Sequence, residues 1–166
     1  MSRAGVAGRW IIVVAVALAV QGCPSAYQRT YERETQKLEA EQRAATQQAE
    51  AEHAQAQKYA AVIYFAVGSS AIDEAGQREL NWFVQQMQPY PQAVIDVQGF
   101  ADSTGKQPEN AALSNLRATA VSSYLSSQGI APARIRAQGF GDQYPAGSNA
   151  TPQGRRNNRR VEVTVQ

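Results

Sequence analysis

Cysteine is nearly absent: Cys23 stands alone among 166 residues. An internal disulfide is excluded, and a cysteine-rich metal centre is not expected. Histidine is as scarce, and the single His53 lies in a polar stretch, where it reads as a solvated residue rather than a ligand. A helix needs about 20 apolar residues to cross a bilayer, and the run Trp10–Val20 has eleven. The net charge is only +2, with no basic face outside Arg155, Arg156, Arg159 and Arg160. Those arginines have no aromatic residues interleaved, so nucleic acid is not the expected partner. Gly139-Phe140-Gly141 is too short to cradle a phosphate. No nucleophilic cysteine is available, no histidine follows residue 53, and no two carboxylates are placed across one substrate bond. No catalytic residues are therefore assigned, and neither metal nor cofactor is called for.

What is present begins with an export signal over residues 1–22. Arg3 and Arg9 supply its positive end, the apolar run follows, and Gly22 offers the small residue of a cleavage site. Val20-Gln21-Gly22-Cys23 resembles a lipobox, in which the cysteine is lipidated and becomes the new N-terminus, although Gln21 is larger and more polar than usual there. Pro24, rather than Asp, follows; in Gram-negative lipoproteins this implies sorting to the outer membrane. Several acyl chains on one residue give stable anchoring, where one chain is marginal.

Residues 23–60 read as a helical spacer. From 25 to 61 there is no glycine and no proline, and Ala, Gln, Glu, Arg and Lys dominate, all good helix formers. Glu39 and Arg43 are spaced for a favourable pair. Tyr31, Leu38, Ala45 and Tyr59 recur at heptad spacing, but the seam is thin and Glu52 interrupts it. This predicts a long solvated helix reaching about 50 Å at 1.5 Å per residue, with weak homodimerisation through residues 25–60 as the alternative.

Residues 61–166 carry the patterns of a packed domain. Ala61–Phe65 reads as a strand. Ile72, Leu80, Phe83, Val84 and Met87 then mark the apolar face of a helix over about 73–88, with Trp82 off the stripe. Ala93–Gln98 is a second strand, running into the loop Gly99–Gly105. A second helix starts near Pro108, buries Leu113, Leu116, Ala120, Val121, Tyr124 and Leu125, and stops at Gly129. Ile135–Gly141 is a third strand, residues 142–154 a long loop rich in Gly, Pro and Asn, and Val161–Val165 a last alternating strand. The expected fold is α+β: a two-layer sandwich in βαβαββ order, with helices on one face of a small mixed sheet, preceded by the long helix. Asn149-Ala150-Thr151 fits a glycosylation sequon but reads as chance in an exported bacterial-type chain.

Chemistry concentrates at the loop and the helix after it. Asp102 offers an acceptor-only carboxylate, and Arg117 a planar fork of donors. Either the two pair with each other, or both open onto one cleft that could hold a zwitterion, its ammonium on Asp102 and its carboxylate on Arg117. Asn110 is near enough to line the same cleft or to bond a loop amide.

Three blocks in order resemble the OmpA-like peptidoglycan-binding domain, which also occurs in Pal lipoproteins and flagellar stator subunits. They are Gly99-Phe100-x-Asp102-x-x-Gly105, Asn110-x-x-Leu113-Ser114-x-x-Arg117-Ala118, and Asn157-Asn158-Arg159-Arg160-Val161-Glu162. The resemblance implies that Asp102 and Arg117 hold the diaminopimelate of a peptidoglycan stem peptide. Asn110, Phe100, Ala101, Arg159 and Arg160 would stand around that site. Phe100 and Ala101 depart from the His or Tyr and the Thr often found there, which predicts altered affinity. The chain is thus expected to be a non-enzymatic, lipid-anchored tether between the outer membrane and the wall, its domain facing the periplasm. The alternative is a Pal-like adaptor that mainly recruits envelope proteins.

Overall fold

The computed structural model describes residues 25–166; the signal segment and Cys23 lie outside them. The chain divides between Gln42 and Arg43 into two compact units. A long helix, α1 (Ala26–Ala56), runs through the division. In the first unit the heptad seam is uncovered: Tyr31 is 61% and Leu38 57% exposed. No helix of the described residues is long and apolar enough to cross a membrane.

The second unit continues with β1 (Ala60–Tyr64), α2 (Glu74–Met87), β2 (Ile95–Gly99), α3 (Gln107–Ser127), β3 (Ile135–Gly139), α4 (Pro152–Asn158) and β4 (Arg160–Val165). The sheet order is β1-β4-β2-β3. Strand β4 runs antiparallel to both β1 and β2, and β2 is parallel to β3. Side chains alternate between faces along a strand. Ile95, Val97, Val161, Val163 and Ile63 therefore share one face, where they meet Leu80, Phe83 and Met87 of α2 and Val121 and Leu125 of α3 in a single core. The α+β sandwich read from the pattern is the fold observed.

Local signals explain the helix limits. Asp73 caps α2 by accepting the Gly76 N–H at 2.8 Å, as a short acid at an N-cap does. In α3 the Glu109 carboxylate reaches back to the Lys106 N–H at 3.3 Å, half of a capping box. Beyond Ser127, Gly129 takes φ +100°, a turn few other residues make cheaply.

Helix α3 lies unusually close to the sheet. A Cβ at Gly99 would collide with the Ser114 carbonyl oxygen, and one at Gly139 with the Asn115 amide. The two glycines are register partners on β2 and β3, so together they form a flat seat for the helix. Gly99→Ala should push α3 off that seat. The expected loss is about 3 kcal/mol, at the upper end for overpacking, read as a lowered urea midpoint.

Three sequence expectations are corrected. The stretch read as loop up to residue 154 ends in α4. Its entry is signalled by Thr151, whose hydroxyl accepts the Gly154 N–H at 3.0 Å, and by Pro152 in the first turn; the weak helix formers Gly154, Asn157 and Asn158 mask it. Strand β2 begins at Ile95 rather than Ala93. Leu116 is 58% exposed while its neighbour Arg117 is fully buried, so the helix presents arginine, not leucine, to the interior.

Candidate functional site

The loop after β2 is held from several sides. The Phe100 N–H donates to the Arg160 carbonyl at 2.8 Å and the Ala101 N–H to the Gly141 carbonyl at 2.7 Å. The Ser103 N–H donates to Asn149 Oδ1 at 3.2 Å. Asn158, fully buried on α4, fixes Asn149 in turn by donating to that same oxygen at 2.7 Å, and it bonds both backbone groups of Gly147. The Asn149 side chain is thus part of the loop's scaffold.

Asp102 is 5% exposed. One carboxylate oxygen accepts the Thr104 N–H at 2.9 Å, and the other accepts Arg159 Nη1 at 2.8 Å. Arg159 is anchored by donating from Nε to the Phe65 carbonyl at 3.0 Å. Burial pushes the Asp102 carboxyl up, but the bonds from Arg159 and Thr104 outweigh it, so the group sits below its ordinary 3.8. Asp102 is therefore a carboxylate at neutral pH.

Arg117 takes neither of the two arrangements expected from sequence in full. Its ion-pairing neighbour is not Asp102, which pairs with Arg159 instead. Its guanidinium donates to three backbone carbonyls: Ser69 at 2.8 Å, Phe100 at 3.0 Å and Ala66 at 3.1 Å. The group also lies 5.3 Å from the Phe65 ring centroid. Arg117 thus ties the segment after β1 to the loop after β2. Burial lowers its pKa to about 10, the positive charge of Arg159 acting in the same direction and Asp102 opposing it; it stays cationic at neutral pH.

These side chains line one cleft of about 230 Å³, walled by Val67, Gly68 and Leu113, with Ala101, Asn110 and Glu109 completing the rim. Asn110, 3% exposed, donates to Asp142 at 3.2 Å and so joins the cleft wall to the loop after β3. The cleft holds two cations, Arg117 and Arg159, and two acids, Asp102 and Glu109. It suits a small ligand carrying both charges. Among the described residues no cluster of His, Cys, Asp and Glu could hold a metal ion.

Phe100 and Arg160 are not in this cleft. Their side chains stand on the opposite face of the sheet, where the Arg160 guanidinium lies 4.1 Å from the Phe100 ring centroid. Strand alternation carries the signal: Val161 is buried in the core, so Arg160 must point the other way. The cleft residues that sequence reasoning missed are Glu109, Thr104 and the residues just after β1. The residues after β1 are revealed only by the fold, since β1 lies far from α3 in sequence; Thr104 and Glu109 lie beside Asp102 and Asn110 in the chain, and that proximity is the signal that could have found them.

The OmpA family profile matches residues 64–159, more than half of the chain. Among curated proteins, the "Probable lipoprotein YiaD" of Escherichia coli is 39% identical over 103 residues, covering 62% of this chain and 47% of that protein. The "Peptidoglycan-binding protein ArfA" of Mycobacterium tuberculosis is 37% identical, over 62% of this chain and 32% of that protein. The chain thus spans less than half the length of either. Among solved structures, the peptidoglycan-associated lipoprotein from Burkholderia pseudomallei superposes with a TM-score of 0.61 at 29% identity, covering 64% of this chain and 90% of that one.

Proposed function

We propose, for a chain that belongs to the OmpA family, that the Asp102/Arg117 cleft binds peptidoglycan non-covalently and without catalysis. The observation that carries this reading is that Asp102 and Arg117 line one cleft while each is secured by other partners. Neither neutralises the other. A guanidinium has five N–H donors, and the three carbonyls occupy three of them. The other two N–H groups, on Nη1 and Nη2, would serve a carboxylate that displaces the wall covering this fully buried side chain. A carboxylate has about four acceptor sites, so Asp102 keeps room for an ammonium beside its two present donors. Diaminopimelate ends in such an amino-acid head. Relatives named as peptidoglycan-binding or peptidoglycan-associated support peptidoglycan as the polymer bound.

With Cys23 lipidated, α1 would act as the spacer between the outer membrane and a domain over residues 61–166 in the periplasm. The test is sedimentation with insoluble peptidoglycan. The full chain should co-sediment saturably; a folded chain that stays in the supernatant at all loads would refute wall binding. The uncovered residues Tyr27, Tyr31 and Leu38 favour a second role beside it, recruitment of an envelope protein. Crosslinking from residues 30–55 should then trap one partner at high yield, and no trapped partner would set that role aside.

A further inference from the structure

The face of the sheet away from α2 and α3 is built as a track. Asp96 and Gln98 on β2, and Phe100 just past its end, point to this side, since Ile95, Val97 and Gly99 point to the core. Their register partners Arg136 and Gln138 on β3 and Glu162 on β4 stand beside them. Two hollows lie end to end here and share Gln98: one of about 220 Å³ around Asp96, Arg136 and Gln138, and one of about 350 Å³ at Phe100, Phe140 and Tyr144.

The second hollow is aromatic. Phe100 and Phe140 stack with centroids 5.6 Å apart, and Tyr144 stands edge-on to Phe140 at 5.6 Å. Tyr144 is 58% exposed, so it offers a ring to a ligand. The first hollow is polar and unfinished. Asp96 is only 9% exposed, yet its Oδ1 is buried without a hydrogen-bond partner. Such orphaned acceptors are uncommon and costly, and this one calls for a hydroxyl or amide donor from outside.

The charges of the track balance. Arg160 is paired with Glu162 at 2.6 Å, and Arg136 donates to Gln166 at 2.9 Å beside Asp96. The ligand that fits is neutral, extended, and rich in hydroxyl and amide groups, with an apolar ring face to lie on aromatics. From Asp96 to Phe100 the track runs about 13 Å at roughly 3.3 Å per residue, longer than one sugar ring. Phe100 is also two residues from Asp102, so the end of the track adjoins the segment that walls the charged cleft.

We infer that this open face is a carbohydrate site that takes the glycan strand of the wall, a chain of N-acetylated amino sugars, while the cleft takes the peptide. The inference rests on the wall-binding reading above. Its test is calorimetric titration of the full chain with two separate probes: a neutral, peptide-free oligomer of N-acetylglucosamine, and free stem peptide. The glycan should bind saturably. Tyr144→Ala and Asp96→Asn should each weaken it about tenfold or more, the loss expected for a hydrogen bond to a charged group or an equivalent contact. Asp102→Asn should leave glycan binding unchanged while weakening the peptide. Circular dichroism verifies that each variant is folded, and exposed Tyr144 leaves a variant whose core is untouched. Peptide binding with no glycan binding would overturn the glycan site and leave the cleft standing. Glycan binding indifferent to both Tyr144→Ala and Asp96→Asn would overturn it equally. Failure of both probes would remove the wall-binding reading as well.

Discussion

Arg117→Ala should destabilise the domain by about 3 kcal/mol or more, from the lost charge-assisted hydrogen bonds and the hole left by a large buried side chain, and should abolish ligand binding with it. The guanidinium is fully buried and bonds three carbonyls contributed by two separate segments. Its removal leaves the Ala66, Ser69 and Phe100 carbonyls without that donor and opens a hole beneath the loop. The bond to the Phe100 carbonyl is the buried one, and a buried acceptor left unmade costs about 1–3 kcal/mol; the Ala66 carbonyl keeps the Ser69 N–H. Arg117→Lys should recover only part of the loss, since one ammonium cannot reproduce a fork that spans both segments. Urea unfolding of the wild type and both variants measures this. A loss below about 1 kcal/mol for Arg117→Ala would show that the three bonds are replaced by water at little cost.

Asp102→Asn should separate binding from folding. Asparagine keeps the size and an oxygen for the Thr104 N–H, while Arg159 retains the Phe65 carbonyl. The fold should survive with a modest loss, whereas affinity for an ammonium-bearing ligand should fall by about 2–5 kcal/mol, as when one charge of a buried hydrogen-bonded pair is removed. The pH dependence follows from the same group. Its folded pKa lies below the ordinary 3.8, so the folded state holds the proton less tightly than the unfolded state. The stability Asp102 contributes is fully present above the unfolded value and is lost as pH falls through the lower folded one. Stability curves should thus show the Asp102 contribution intact at pH 5 and declining only below about pH 4; in Asp102→Asn that component should be missing.

Much of the fold was legible because the core-facing residues are regularly spaced. Ile95 and Val97, and then Val161, Val163 and Val165, alternate cleanly, and Leu80, Phe83 and Met87 keep helical spacing. Helix α4 was not legible because it is short and held mainly by what it does for neighbouring loops, through Asn158 and Asn149. At the site, Asp102 and Arg117 could be picked out by residue type and position, but their partners could not. Arg159 reaches Asp102 across 57 positions, and the carbonyls that hold Arg117 come from residues 48 and 51 positions away. Backbone carbonyls have no sequence signature, so an arginine that serves the fold and an arginine that faces a ligand look alike until the chain is folded. Arg117 serves the fold through three carbonyls; its role toward a ligand is the one proposed above.

The most direct test of wall recognition is an NMR titration of the chain lacking residues 1–24 with a diaminopimelate-containing stem peptide. Saturable shifts centred on Asp102, Asn110 and Arg117, and absent in Asp102→Asn, are the predicted result. A well-dispersed spectrum that does not change with peptide would contradict the account, and would leave Asp102, Arg117 and Arg159 as the structural fastening of two loops.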